Sequence, residues 1–263
     1  MNGLALCAGV GGLELGLSIA CPGYRAVCVV EGEAYSAATL ARRMEDGLLE
    51  PAPIYSDVRT FDGRPWRGLV DIVTAGYPCQ PFSLAGKRLG EKDPRHLWPD
   101  VRRIIEETAP SLVFCENVSA HLRHGFDTVC KDMDGLGYRV AAGVFTAWAV
   151  GAPHLRERLF WLASNSLREP LREQQRRKTG ACRENSTLFG ADGDSRKVAE
   201  PDGEQVEWST VARQECNPWT VEPDVGRVAN GVAHRVDRLR AIGNGVVPAV
   251  AARAFITLLG ELI

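Results

Sequence analysis

Short apolar runs alternate with helical patterns through residues 1–163, and this alternation constrains the fold more than any other feature of the chain. Residues 70–75 form the clearest run, closed by a turn, as a strand buried on both faces is. Residues 3–7, 26–30 and 112–115 read the same way, and 138–145 and 159–163 read as later strands. Helices are predicted from about Leu13, over 34–43 and 101–107, and over 249–262 at the end of the chain. Strand and helix in turn imply an α/β fold with a doubly wound sheet. A chain of 263 residues, 45% hydrophobic, suits one full core with one small appended lobe.

The alternation fails between Ser164 and Val228. Residues 168–183 carry six basic and two acidic side chains, and 184–228 carry four basic and ten acidic. So polar a segment lacks the apolar surface for a core of its own. The expected organisation is core over 1–163, insertion over 164–228, and a return to the core over 229–263. The formal net charge of −2 gives no bulk support to a nucleic-acid partner, although a local basic groove is compatible with it. The eight cysteines include no C-x-x-C pair, which argues against zinc and against a dithiol redox motif. No charged leader or 18-residue apolar run is present, so a reducing cytoplasm and no membrane are expected.

Gly9-Val10-Gly11-Gly12 follows a strand and opens a helix, where backbone N–H groups approach a nucleotide-like ligand. The sixth position from Gly9 is Glu14, not glycine. A carboxylate at the turn would repel a pyrophosphate and suit a cationic sulfonium. Glu31 closes the second strand about twenty residues later, where an acid accepts hydrogen bonds from ribose hydroxyls. Asp57, followed by Val58, is placed to receive an adenine amino group. Gly76-Tyr77-Pro78-Cys79-Gln80 puts a cysteine on a rigid turn at the carboxyl end of a buried strand, where such sheets bind ligands. Glu116-Asn117-Val118 ends the next strand on the same crevice. A desolvated glutamate there has a raised pKa and can donate a proton. Alternation puts Arg156 and Arg158 on one face, ready for a phosphate or a base carbonyl. Gly243-Asn244-Gly245-Val246-Val247-Pro248 is a late glycine turn that, returning to the sheet, could complete a pocket.

Together Gly9-Val10-Gly11-Gly12, Pro78-Cys79-Gln80, Glu116-Asn117-Val118, Arg156-Glu157-Arg158 and Gly243-Asn244-Gly245-Val246-Val247-Pro248 resemble the DNA (cytosine-5) methyltransferases, in the style of the short bacterial or phage enzymes. The resemblance covers about residues 3–163 and 227–263. It implies a Rossmann-like, S-adenosylmethionine-dependent methyltransferase sheet with a small, irregular target-recognition insertion. It implies Cys79 as nucleophile on C6 of cytosine, Glu116 as proton donor to N3, and Asn117 as the residue that orients their loop. Arg158 would approach the cytosine carbonyl and Arg156 would help hold the loops. Gly9, Val10, Gly11, Gly12, Glu31, Asp57, Val58, Pro78, Leu97, Asn244 and Val246 fall on cofactor positions. S-adenosylmethionine is the implied cofactor, with no metal. The implied partner is double-stranded DNA, bound by a monomer in a bacterial or phage-encoded system with a cognate restriction endonuclease as a further possibility. The departures are Ala5, Cys7, Gly32 and His154, where the family usually carries an acid, an aromatic ring, a large residue and a glutamine.

Three other readings compete. A tRNA cytosine-5 methyltransferase would use the same motifs on another substrate. A non-catalytic DNA-binding relative is opposed by the intact Cys79 and Glu116. A nicotinamide oxidoreductase is opposed by the missing third glycine and by the Pro-Cys-Gln turn.

Overall fold

The computed structural model describes residues 1–78, 97–165 and 235–263. Among them, strands β1 (Asn2–Leu6), β2 (Arg25–Val30), β3 (Ile54–Tyr55), β4 (Ile72–Ala75), β5 (Leu112–Val118), β6 (Tyr138–Phe145) and β7 (Arg158–Asn165) form one sheet ordered β3-β2-β1-β4-β5-β7-β6. Strands β1 to β5 pair in parallel, and β7 runs antiparallel to both β5 and β6. The helices are α1 (Gly12–Ala20), α2 (Ala34–Glu45), α3 (Trp98–Thr108), α4 (Phe126–Gly135), α5 (Arg235–Asn244) and α6 (Pro248–Leu262).

The central strands read as continuous apolar runs because both of their faces are covered. On β5, Val113 and Cys115 join the layer under α3 and α4, while Leu112 and Phe114 join the layer under α1 and α6. On β7, Leu159, Trp161 and Ala163 take the first layer and Phe160 and Leu162 the second. Helix α3 buries Trp98, Val101, Ile104, Ile105 and Thr108, one stripe at helical spacing. It stops at Ala109, a left-handed cap, with Pro110 next.

The C-terminal helices join this core through α1. A Cβ on Gly16 would lie 2.6 Å from Ala251 Cβ and 2.8 Å from Pro248 O, so only glycine admits α6 at this distance. Leu17 and Phe255 are fully buried at the contact. Each such burial contributes about 1.5–3 kcal/mol. Pro248 sits in the first turn of α6, where its missing N–H costs nothing.

The doubly wound layout thus holds over β1 to β5, while β6 and β7 form an antiparallel pair that the alternation did not anticipate. The turn at Gly243-Asn244-Gly245 also differs from expectation: it links α5 to α6 instead of returning to the sheet. Strand β7 continues to Asn165, two residues beyond its expected end, and most of the expected insertion lies outside the described residues. Helix α4 and the short strand β3 escaped the sequence reading. Strand β3 has too few residues to show a period, and the apolar residues of α4, Phe126, Val129 and Met133, are diluted by charges.

Candidate active site

The strand order reverses at β1/β4, with β2 and β3 on one side and β5, β7 and β6 on the other. A crevice opens at the carboxyl ends of strands around such a switch point. Here it is a cavity of about 780 Å³. The carboxyl end of β1 contributes Cys7, Ala8, Gly9 and Val10; β2 contributes Glu31; and the loop after β3 contributes Asp57 and Val58. Gly76, Tyr77 and Pro78 line it after β4, Glu116 and Asn117 on β5, Arg158 on β7, and Asn244, Gly245 and Val246 between α5 and α6.

The glycine turn is shaped by its neighbours. Gly9 and Gly11 have φ of 56° and 82°, a region that other residues enter only with strain. The N–H of Gly11 is used within the turn, on Ala8 O at 2.9 Å, and Gly11 stays off the cavity wall. A Cβ on Gly12 would fall 2.6 Å from Val246 O, so the late segment reaches the turn only because Gly12 has no side chain. Cys7, also at positive φ, borders the cavity, and burial pushes its thiol up to about 12. Gly32 lets the loop after β3 come close to the end of β2, since a Cβ there would meet Ser56 O at 3.0 Å.

Glu31 is held by the main chain. Its Oε2 accepts the Gly9 N–H at 2.7 Å and its Oε1 the Glu33 N–H at 2.7 Å. Burial raises its pKa, and those two N–H groups oppose the rise. Asp57 accepts the Arg59 N–H at 3.0 Å, which closes a local turn. Leu97, at the cap of α3, also lines the cavity.

Glu116 is held by side chains. It is 8% exposed, and its Oε1 lies 3.0 Å from Arg158 Nε. Burial pushes its carboxyl up to about 7, against the opposing pull of Arg158 and Arg156. Asn117 Nδ2 donates to Tyr77 O at 3.1 Å, tying β5 to the residue before Pro78. The Tyr77 hydroxyl lies 3.1 Å from His121 Nε2, and His121 Nδ1 lies 2.9 Å from His124 O. A carbonyl only accepts, so Nδ1 carries the proton, and in the neutral ring Nε2 accepts from Tyr77. Sequence reading missed Tyr77, His121, Arg43 and Arg103, because each acts on a partner distant in the chain.

Three expectations are corrected. Glu14 does not face the cavity. It is buried between α1 and the sheet, where its Oε1 accepts the Thr74 hydroxyl at 2.8 Å and burial raises its pKa. Helical geometry turns the third residue of α1 inward, which a count along the chain does not register. Nor are Arg156 and Arg158 placed by strand alternation. Strand β7 begins at Arg158, and Arg156, with φ of 36°, precedes it and donates to Gly243 O and Gly245 O. Glu116 and Asn117 lie within β5, which runs to Val118, not beyond its end. Cys79 lies outside the described residues, next to Pro78.

A sequence model of the family described as C-5 cytosine-specific DNA methylase matches residues 1–217. The chain belongs to this family. Among relatives of the methylase family, the type II methyltransferase M.NgoMIV of Neisseria gonorrhoeae is 35% identical over 164 residues, 61% of this chain and 50% of that protein. M.CviJI of Paramecium bursaria Chlorella virus IL3A is 37% identical over 171 residues, 64% of this chain and 44% of that one. The chain therefore spans half or less of the length of these relatives. A solved structure described as a putative DNA modification methyltransferase encoded within a prophage of E. coli shares the fold. Its TM-score is 0.52 at 24% identity, over 63% of this chain and 47% of the other. Among the described residues no three His, Cys, Asp or Glu side chains gather as a metal site requires, and no helix is long and apolar enough to cross a membrane.

Proposed function

We propose that this chain transfers a methyl group from S-adenosylmethionine to C5 of a cytosine turned out of duplex DNA. The observation that carries the reading is that a single cavity is lined both by Glu31 and Asp57 and by Pro78, Glu116 and Arg158. The donor set fits the cofactor. Glu31 and Asp57 are acceptors suited to ribose hydroxyls and an exocyclic amine, Val10, Val58, Leu97 and Val246 are apolar walls, and Gly12 lets Val246 close against the turn. Gly9 and Gly11 shape the turn, and Asn244 and Pro78 complete the wall. When bound, S-adenosylmethionine supplies an electrophilic methyl group.

The chain's own residues do the rest. Cys79, as thiolate, forms a bond to C6 of the base. Glu116, neutral below about pH 7, gives its proton to N3, so the electron pair of the C5–C6 bond becomes available at C5. Arg158 holds the base carbonyl and the Glu116 carboxylate left behind, and Arg156 fixes the Gly243–Gly245 wall. After C5 accepts the methyl group, a base removes the C5 proton, the Cys79–C6 bond breaks to release the thiolate, and the N3 proton returns to Glu116. Turning the base out costs roughly a few kcal/mol.

We assign residues 1–163 and 229–263 to the catalytic core and 164–228 to target recognition. The basic run 168–183 would contact phosphates and polar residues would read base edges. A cytoplasmic monomer acting with a cognate endonuclease completes the proposal. Expression in a methylation-free host, with 5-methylcytosine mapped across DNA and RNA, tests it. Product in DNA is expected; product in tRNA alone would replace this reading with the RNA enzyme. Exchange of 164–228 for the region of a methyltransferase of known target should move the methylated site, and an active chimera with its old target would place specificity elsewhere.

A further inference from the structure

Three loops that border the cavity are each gripped from behind by a guanidinium acting on main-chain carbonyls. Arg156 takes Gly243 O and Gly245 O, and Arg43 on α2 takes Val10 O of the glycine turn. Arg103 on α3 has the widest grip. It donates to Val58 O at 3.0 Å, Arg59 O at 3.2 Å and Phe61 O at 2.9 Å. Its Nη1 also pairs with Glu107 Oε1 at 3.0 Å, and Glu107 Oε2 accepts the Gly63 N–H at 2.7 Å. Between Val58 and Gly63, four main-chain groups are thus tied to one ion pair on α3. Neither Arg43 nor Arg103 lines the cavity.

We propose that Arg103 is a positioning residue for the cofactor, fixing the loop that carries Asp57 and Val58, and that Arg43 does the same for the glycine turn. The proposal rests on the reading of this cavity as an S-adenosylmethionine site. The physical reason is preorganisation. An irregular loop that must be ordered by its ligand lowers affinity by the entropy of that ordering, and a loop already fixed does not. A planar fork with five donors spans several carbonyls at once. A lysine ammonium, a point charge on a flexible stem, does not.

The test is calorimetric titration with S-adenosylmethionine, well below the lowest melting temperature, of wild type, Arg103→Met, Arg103→Lys and Arg43→Met. Arg64→Ala, which breaks only a surface pair with Asp62 near the same loop, is the control. Arg103→Met is expected to raise Kd about tenfold, with Arg103→Lys and Arg43→Met between it and wild type and Arg64→Ala unchanged. The cofactor KM should follow Kd, while kcat at saturating cofactor and the KM for DNA stay at wild-type values. A lower melting temperature with unchanged Kd would make Arg103 a merely structural clamp and overturn the proposal. If Arg103→Met does not fold, Arg103→Lys decides: wild-type affinity in that variant also overturns it. Failure of the wild-type protein itself to bind S-adenosylmethionine is a distinct result and removes the functional reading beneath it.

Discussion

Two of the glutamates that line the cavity, Glu31 and Glu116, are fixed by different kinds of partner. Glu31, after β2, is gripped by two backbone N–H groups, from Gly9 and Glu33. Glu116, on β5, is gripped by the side chain of Arg158 on the antiparallel neighbour β7. The first arrangement uses main-chain groups alone, which suits the acceptor role proposed for Glu31. The second is assembled from distant side chains, and it leaves a carboxyl near 7 whose proton can move. The cavity therefore joins a holding half, fixed by main-chain groups, to a titrating half, fixed by side chains.

The largest expected effect is on the titrating side. Cys79→Ser should abolish methyl transfer and leave cofactor affinity intact, because an alkoxide forms far less readily than a thiolate at neutral pH. Near-normal turnover would remove Cys79 from the mechanism. Next, Glu116→Gln should cut kcat by about 100- to 10,000-fold with little change in cofactor Kd. In wild type, the proton-donating form is lost as pH rises through about 7, so kcat/KM should fall on the alkaline side. The same group links to stability. Its folded pKa lies above the ordinary carboxylate value, so its stabilising contribution is complete at low pH and disappears as pH rises through about 7. A flat pH–rate profile for wild type would break the distinction between the halves.

On the holding side, Glu31→Ala should weaken cofactor binding by about 1–3 kcal/mol and leave DNA affinity unchanged, as calorimetry would measure. If Glu31→Ala and Glu116→Gln weaken the cofactor equally, the cavity has no such halves. The smallest effect belongs to Glu14. Burial raises the pKa of its carboxyl, so wild type loses stability as pH rises above the ordinary carboxylate range, and Glu14→Gln does not. Urea denaturation at pH 5 and pH 8 should show the variant gaining on wild type at the higher pH.

Much of the holding half was legible in the chain. Asp57 follows β3, which no apolar run announced, whereas Gly9 and Glu31 follow strand ends, and strand ends follow from apolar runs. The crevice residues Pro78 and Glu116 were legible for the same reason. Three features escaped because they depend on where helices and antiparallel strands set side chains. Glu14 turns into the core, Arg156 gains its direction from a left-handed backbone, and the grip of Arg103 on Val58, Arg59 and Phe61 spans more than forty residues. No local pattern encodes such meetings.

The contact of Gly12 with Val246, and of Gly16 with α6, bears on how the protein is born. The ribosome emits the glycine turn long before Val246. At roughly 5–20 residues per second the interval is on the order of ten seconds or more. Until α6 arrives, Leu13, Leu17 and Phe160 lack its cover. A nascent chain halted short of Pro248 carries Glu31 and its turn but lacks α6 behind them, so on the proposed reading a methyl donor is held only once α6 has been made.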